Sequence, residues 1–171
     1  DRASTVVPYH ELRFAQQVQA KYPLHHIERS SPIMHALRAI KSPLEVAAMQ
    51  TACNITDKAF RRVLGFVKPG VWEHEIEAEI IHEFIRNRAT GHAYNPIIAS
   101  GPSACVLHYV ENNRQCKDGD VILLDFGSEY GNYNSDLSRS IPVSGRFTAR
   151  QRAVYDAVLR VMKYATNMLR P

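Results

Sequence analysis

The sequence predicts an α+β fold in which an antiparallel sheet is flanked by helices. The first half contains long segments whose apolar residues recur with a helical period. The second half contains three apolar runs bounded by Gly, Pro and Asn, which are typical of strands, and the chain then returns to a helical pattern. A length of 171 residues is sufficient for one domain of ordinary size with a buried core.

The first forty residues are predicted to form two helices. Residues 9–21 have the spacing of a short amphipathic helix, and residues 22–32 are predicted to form a brief strand and a turn. Ser31 and Pro32 are suited to the N-cap and first position of a second helix, which is predicted to end near Ile40.

Two longer helices are predicted next. Pro43 opens the first of them, whose apolar period continues for about six turns until Lys68–Gly70 stops it. The following helix begins with the segment "VWEHEIEAEIIHEF" and has Gly91 as its predicted C-cap.

Three strands and a last helix complete the predicted fold. The strands are expected within residues 95–109, 119–130 and 134–143. Thr148 caps the last helix, and four of its apolar residues are expected to point inward: Val154, Val158, Val161 and Met162. Two of the predicted helices have similar C-terminal ends, "LGFVKPG" and "NMLRP", on either side of the segment that contains the strands. This similarity suggests an internal duplication. We therefore expect the chain to be a fragment of a larger protein.

Composition and charge argue against several classes of protein. The formal net charge is +4, but the 21 Lys and Arg residues are scattered, so a nucleic-acid-binding face is not expected. No apolar run approaches the ~18 residues that a membrane span needs. The sequence has three cysteines, Cys53, Cys105 and Cys116, whose odd number and wide spacing fit neither a disulfide framework nor a CxxC zinc site. They are therefore predicted to be reduced thiols in a cytoplasmic protein.

The segment "LLDFGSEYGNYNSDLSRS" contains two aspartates on either side of a glycine turn. A two-residue loop at Tyr130 and Gly131 would place Asp125 directly opposite Asp136, with their Cβ atoms about 4.5–5.5 Å apart on one face of the sheet. Like charges that face one another on a partly buried sheet are destabilising. A shared proton, a nearby Lys or Arg, or a bound cation would relieve this repulsion.

Pattern alone leaves two of these alternatives open. A shared proton is not expected, because the Asp-Thr/Ser-Gly loops of aspartic proteases are absent. The two remaining alternatives are a salt bridge from Arg139 and a divalent metal such as Mn²⁺, which prefers carboxylate ligands. His108, in or at the end of an apolar strand, is either a hydrogen-bonded structural residue or a ligand. Other candidates lack an HExxH spacing and fall on the polar, solvated face of a helix: His74, Glu75, His82 and Glu83.

At these residues the sequence closely resembles the Xaa-Pro aminopeptidase (aminopeptidase P) and prolidase family. The resemblance rests on "IIASGPSACVLHYVEN", "GDVILLDFGSEYGNYNSDLSRSIPVSGRFT" and "LRAIKSPLEVAAMQTACNITDKAF", and covers residues 35–171. It implies the pita-bread catalytic fold, which is shared with methionine aminopeptidases. Residues 1–38 would then be the end of an N-terminal creatinase-like domain with its linker helix, and residues 39–171 the first half of the pita-bread domain.

The resemblance implies a dinuclear metal site made of two aspartates, one histidine and two glutamates. Asp125 matches the first aspartate, and Asp136 matches the second, which bridges both ions. His108 matches the histidine that contacts substrate near the scissile bond. The other three ligands would follow Pro171. The implied cofactors are two divalent ions, Mn²⁺ first, with Zn²⁺ or Co²⁺ as alternatives, which activate water for attack on the peptide carbonyl.

The implied activity is hydrolysis of the bond between an N-terminal residue and a following proline. Prolidase, which cleaves Xaa-Pro dipeptides, is the close alternative. A second class is a non-enzymatic pita-bread binding protein, and a third is an α+β domain with an Arg139–Asp136 ion pair. The expected partners are a peptide with proline in its second position, the missing C-terminal half and further copies of the chain in a homo-oligomer, with neither nucleic acid nor membrane. The chain alone is expected to hold metal weakly and to be inactive.

Overall fold

The computed structural model describes residues 9–170, in two compact units of which one ends at Lys41 and the other begins at Ser42. In the first unit, helix α1 spans His10–Lys21 and helix α2 spans Ser31–Ala39, close to the predicted bounds. The predicted N-cap of α2 is wrong by one residue, because Ser31 already belongs to the helix and Ser30 precedes it. Residues 22–30 form turns and irregular backbone. The predicted strand there is wrong, because no strand in the described part of the chain pairs with this segment.

The second unit begins with two helices that pack against each other. Helix α3 spans Pro43–Phe66 and helix α4 spans Glu73–Arg86. A reciprocal capping box starts α3, since the Ser42 hydroxyl accepts from the Glu45 N–H and the Glu45 carboxylate accepts from the Ser42 N–H. Pro43 occupies the first turn, where its missing N–H costs no hydrogen bond.

Six strands and a last helix follow. The strands are β1 (Gly91–His92), β2 (Ile97–Ser100), β3 (Val121–Phe126), β4 (Ser128–Tyr130), β5 (Tyr133–Asn134) and β6 (Leu137–Pro142). They form two three-stranded antiparallel sheets, in the orders β1-β4-β5 and β2-β3-β6. Helix α5 spans Ala149–Met168, and Thr148 caps it as predicted. This content confirms the α+β class.

Several boundaries differ from the prediction. The strand expected within residues 119–130 is divided at Gly127 into β3 and β4, which belong to different sheets. Helix α4 ends at Arg86, and Gly91 lies in β1 rather than capping the helix, because Arg88 already turns the chain with a φ of 66°. The first predicted strand is β2 only as far as Ser100. A 3₁₀ turn follows at Gly101–Cys105, where Gly101 has a φ of 53° and a Cβ atom would lie 2.8 Å from the Asp120 carboxylate.

The core lies between the helices and one face of β3. Alternate residues of β3 are buried on this face, namely Ile122, Leu124 and Phe126. They join a single apolar cluster with α3 and α4 residues that include Ile55, Ala59, Val63, Ile76, Ile80 and Phe84. The opposite face of β3 carries Leu123 and Asp125, which are only half-buried. The pleat of one strand therefore directs Asp125 away from the core.

Helix α5 lies beside this second face of β3. The two elements line a groove of about 470 Å³, to which Val121, Leu123 and Tyr155 contribute. The four α5 residues that were predicted to point inward are between 48% and 68% exposed: Val154, Val158, Val161 and Met162. Three of the four, Val154, Val158 and Met162, do face β3 across this groove, but the groove is open and leaves them largely exposed, and Val161 does not line it. None of the helices within residues 9–170 is both long and apolar enough to cross a membrane.

Strand β1 brings His92 against the core. Its ring packs edge-on against Phe84, with the ring centroids 5.2 Å apart. Both ring nitrogens are buried, and neither has a hydrogen-bond partner among residues 9–170. Burial lowers the pKa of His92 below its ordinary value, and the nearby Glu77 carboxylate partly opposes this effect.

His92 is expected to make the fold less stable as the pH falls. Below the ordinary imidazole pKa of 6.5 the unfolded chain binds a proton that the folded chain does not, so stability is complete above that pH and decreases below it. Denaturant unfolding between about pH 7 and pH 5 measures this slope. The slope should become smaller in His92→Phe and stay the same in His82→Gln, which changes an exposed histidine. Equal slopes in His92→Phe and the parent would contradict the prediction.

Candidate metal centre

The hairpin between β4 and β5 turns at Gly131 and Asn132, one residue later than predicted. Both residues have positive φ angles, 59° and 66°, as a two-residue type I′ turn requires. The predicted turn at Tyr130 and Gly131 is wrong, because asparagine tolerates the left-handed conformation and tyrosine disfavours it. Tyr130 instead pairs with Tyr133.

The same register continues into β3 and β6 and sets the positions of the two aspartates. Asp125 lies opposite Ser138, and Phe126 lies opposite Leu137. The prediction that Asp136 lies directly opposite Asp125 is therefore wrong. Asp136 precedes Ser138 by two residues, so it is a diagonal neighbour of Asp125 on the same face of the sheet.

A tyrosine that the sequence analysis did not identify joins the two aspartates. The Tyr94 hydroxyl lies 2.8 Å from Oδ1 of Asp125 and 2.8 Å from Oδ1 of Asp136. The two carboxylate oxygens are thus no further apart than twice that distance. A hydroxyl has a single proton to donate, so it cannot fully satisfy both acceptors. Burial, and then the bonds to both aspartates, raise the pKa of Tyr94, which keeps its proton in place.

No basic side chain neutralises this pair among residues 9–170. The ion pairs within that range involve neither Asp125 nor Asp136. Arg139 is exposed, and its guanidinium donates to the Ser138 carbonyl at 2.8 Å. The interpretation as an Arg139–Asp136 ion pair is therefore wrong: Arg139 is next to Ser138 in β6, and alternation along the strand places it on the opposite face.

The donor set fits a hard divalent cation. Carboxylate oxygens are the ligands that Mg²⁺, Ca²⁺ and Mn²⁺ prefer, and a cation would remove the repulsion between Asp125 and Asp136. Within residues 9–170 there is no cluster of three or more His, Cys, Asp or Glu side chains that could hold an ion. Two carboxylates do not fill the coordination shell of such a cation. A cation bound here would need further ligands, which the described residues do not supply.

A buried hydroxyl cluster fixes the backbone beside Asp136. The Thr56 hydroxyl lies 2.6 Å from Oγ of Ser135 and 3.2 Å from Oγ of Ser128. Ser128 also donates to the Ala52 carbonyl at 2.9 Å. Thr56 and Ala52 belong to α3, so the cluster ties the residue before Asp136 to that helix.

The structure places His108 in a loop and not in a strand. Its φ is 53°, and its side chain is exposed. The predicted strand position is wrong, because β2 ends at Ser100. No hydrogen bond joins His108 to Asp125 or Asp136. Its role as a substrate contact stays a prediction.

Helix α4 bears out most of one prediction and reveals an omission. His74, Glu75 and His82 are exposed, as expected for a solvated helix face, but the expectation is wrong for Glu83, which is partly buried and forms an ion pair with Arg62. Glu73, the first residue of the same helix, is fully buried and was not predicted to be a functional residue. A signal was present, because Glu73 shares a helical stripe with the apolar residues Ile76 and Ile80.

Residues 47–171 match the profile of metallopeptidase family M24. The chain belongs to this family. Two curated relatives of the M24 chain are the Xaa-Pro aminopeptidase of Escherichia coli (strain K12), 42% identical over 140 residues, and Xaa-Pro aminopeptidase 3 of Rattus norvegicus, 40% identical over 139 residues. The alignments cover 82% and 81% of the M24 chain but only 32% and 28% of those relatives. The M24 chain thus spans about a third of their length.

Solved structures confirm the fold. Proline aminopeptidase P II from Yersinia pestis superposes with a TM-score of 0.86 at 36% identity, over 99% of the M24 chain and 41% of that protein. A variant of Escherichia coli aminopeptidase P in complex with substrate gives a TM-score of 0.84 at 35% identity, over 99% and 40% of the two chains. The resemblance to the aminopeptidase P family and the pita-bread assignment are both confirmed.

Proposed function

We propose that the M24 chain is part of the catalytic domain of a metal-dependent Xaa-Pro aminopeptidase. The observation that carries the proposal is the convergence of Asp125 and Asp136 on the Tyr94 hydroxyl without a basic partner among the described residues. Relatives that are named Xaa-Pro aminopeptidase support the reaction. In this proposal residues 1–38 belong to an N-terminal creatinase-like domain with its linker helix, and residues 39–171 belong to the catalytic domain.

Asp125 and Asp136 are the side chains of this chain that would hold the metal ions. The Tyr94 hydroxyl orients their Oδ1 atoms, as outer hydrogen bonds do for metal ligands. A histidine and two glutamates from outside the chain are proposed to complete the site. Two Mn²⁺ ions are the proposed cofactors, with Zn²⁺ or Co²⁺ as alternatives. A Zn-substituted aminopeptidase P of Escherichia coli supports a divalent site. When bound, such ions supply Lewis acidity and lower the pKa of water.

His108 is the proposed substrate contact. Its exposed imidazole makes no hydrogen bond within the described residues, so it is available to a substrate carbonyl near the scissile bond. The proposed substrate is a peptide with proline in its second position. The bond before proline is a tertiary amide without an N–H, and the ring fixes φ. A site dedicated to this bond is therefore required.

The remaining parts of the proposal concern partners and location. The exposed apolar side of α5 supports a further protein contact, either with the C-terminal half of a longer chain or with another copy in a homo-oligomer. Cys53, Cys105 and Cys116 are all free thiols, which supports a cytoplasmic location.

Hydrolysis of an Xaa-Pro-containing tripeptide by the full-length protein tests the proposed function. Activity should disappear with a chelator and return with added Mn²⁺, and the 171-residue chain alone should be inactive. A strong preference for an Xaa-Pro dipeptide would identify a prolidase instead. A full rate in the presence of the chelator would refute a metal mechanism, and absence of any hydrolysis with bound metal would favour a binding protein.

A further inference from the structure

Glu73 is a buried carboxylate that takes no part in the aspartate pair. Its side chain is fully buried and accepts four hydrogen bonds. The N–H and the hydroxyl of Ser100 both donate to Oε1 at 2.7 Å, while the Tyr109 hydroxyl and the Arg114 N–H donate to Oε2 at 2.7 and 2.9 Å. Every partner is a donor, which matches a carboxylate because it only accepts. A carboxylate is costly to place in a core, so its presence there needs an explanation.

The four bonds hold both ends of one loop. Residues 101–114, here called the His108 loop, leave β2 after Ser100 and return to the start of α4 at Arg114. The backbone adds a reciprocal bond, from the Glu73 N–H to the Arg114 carbonyl at 2.9 Å. Glu73 therefore closes the His108 loop at its base.

Within the His108 loop, the anchored residues adjoin the exposed histidine. His108 has a φ of 53°, a conformation that non-glycine residues adopt only when their surroundings hold it. The next residue is Tyr109, which is 7% exposed and donates to Glu73. Further along, the buried Asn112 accepts from the Ile98 N–H at 3.0 Å, which covers the edge of β2. The His108 side chain makes no hydrogen bond among the described residues, so the backbone of the loop sets its position.

We propose that Glu73 is a positioning residue, which acts through Tyr109 to hold His108 where substrate binds. This proposal rests on the proposed function, because it takes His108 as the substrate contact. Glu73 itself does not touch substrate. In Glu73→Gln an NH₂ group replaces one of the two acceptor oxygens. This NH₂ group donates hydrogen bonds, so it cannot accept from the donors that surround it. The loop is then released while Asp125 and Asp136 keep their places.

A double-mutant cycle in the full-length protein tests this coupling. Glu73→Gln and His108→Ala are each expected to lower kcat for an Xaa-Pro peptide by about 100-fold, the loss that a misplaced group causes. The double variant should be no slower than His108→Ala, because the position of a missing imidazole does not matter. The Mn²⁺-dependent rise in Tm should remain in Glu73→Gln. Additive losses in kcat, or loss of the Tm shift, would overturn the proposal.

A second measurement does not depend on activity and uses a milder variant. Tyr109→Phe keeps the buried ring and removes one of the four donors to Glu73, so it should fold even if Glu73→Gln does not. The same hydroxyl bonds to the side chain and the N–H of Asn113, so exchange at Asn113 itself is left out of the comparison. Amide hydrogen exchange in residues 101–114 is expected to become faster in Tyr109→Phe, with little change elsewhere. Tyr155→Phe is the control, since the Tyr155 hydroxyl has no hydrogen bond among the described residues and its ring packs on Phe147.

The two measurements separate the two proposals. Unchanged exchange in the His108 loop of Tyr109→Phe, or an equal increase along the whole chain, would overturn the role of Glu73. A wild-type protein that binds Mn²⁺ but cleaves no Xaa-Pro peptide would overturn the proposed function and, with it, the role of Glu73 in catalysis. Faster exchange confined to the loop and extending beyond Asn113 would in that case still establish Glu73 as its anchor.

Discussion

Asp136→Asn in the full-length protein is expected to lower kcat/KM for an Xaa-Pro peptide by at least about 100-fold, since loss of a direct ligand should exceed the loss of an outer hydrogen bond. The substitution keeps the size of the side chain and removes its charge. Asp136 is exposed and lies outside the core, so the metal-free fold should not lose stability. Removal of one of two neighbouring like charges should even raise its Tm slightly. The rise in Tm that Mn²⁺ causes in the wild type should be absent.

Asp118→Asn is the matched control. Asp118 is exposed in the turn before β3 and has no hydrogen bond or ion pair among the described residues. The control should retain both the activity and the Mn²⁺-dependent shift in Tm. A metal-free Asp136→Asn protein with a much lower Tm than the wild type would indicate a structural ion pair instead of a metal ligand. A full Mn²⁺-dependent shift in that variant would remove Asp136 from the site.

Local chemistry made the helices predictable. Pro43 suits the first turn of α3 because its missing N–H is not needed there, and Thr148 caps α5 by accepting from the Gln151 N–H; both lie where they were expected. How far the apolar side of α5 is buried was not predictable in this way. Val154 and Val158 follow a helical period, but the period does not reveal whether another element covers that side.

The aspartates share a face although the predicted register was wrong. Moving the turn by one residue along the chain shifts the partner of Asp125 from Asp136 to Ser138. This shift is two residues, and side chains alternate with a period of two, so it leaves the face unchanged. A shift of one residue would have placed Asp136 on the core side. The prediction that Asp125 and Asp136 share a face therefore holds although the turn was misplaced, but the prediction that they lie directly opposite each other does not.

The residues that complete the candidate site depend on tertiary contacts. Tyr94 is 31 residues from Asp125 and 42 residues from Asp136, and no motif links the three. Glu73 reaches Tyr109 across 36 residues. A charged residue on an apolar helical stripe indicates that a buried partner exists, but only the folded chain shows which groups donate to it.

Gly127→Ala is expected to destabilise the fold by at least about 3 kcal/mol, at the upper end of the cost of overpacking. Gly127 lies between β3 and β4, where a Cβ atom would overlap the Ser135 carbonyl oxygen and lie 3.2 Å from the Tyr94 ring. Ser135 cannot easily move away, because its N–H donates to the Ser128 carbonyl and its hydroxyl contacts Thr56. The expected fall in Tm is about 6–12 °C for a chain of this size.

Gly65→Ala is the control for the loss of a glycine. Gly65 lies in α3 with open space around its Cα, so alanine there should stabilise the fold by about 0.5–1 kcal/mol.

Any shift that relieves the overlap in Gly127→Ala moves Ser135, and with it Asp136, relative to Tyr94. The folded variant should therefore bind Mn²⁺ more weakly than the wild type, as titration of the full-length protein would show. The prediction would be contradicted if Gly127→Ala kept both the Tm and the Mn²⁺ affinity of the wild type. In that case the ions, and not the close backbone contact at Gly127, would bring the two aspartates together.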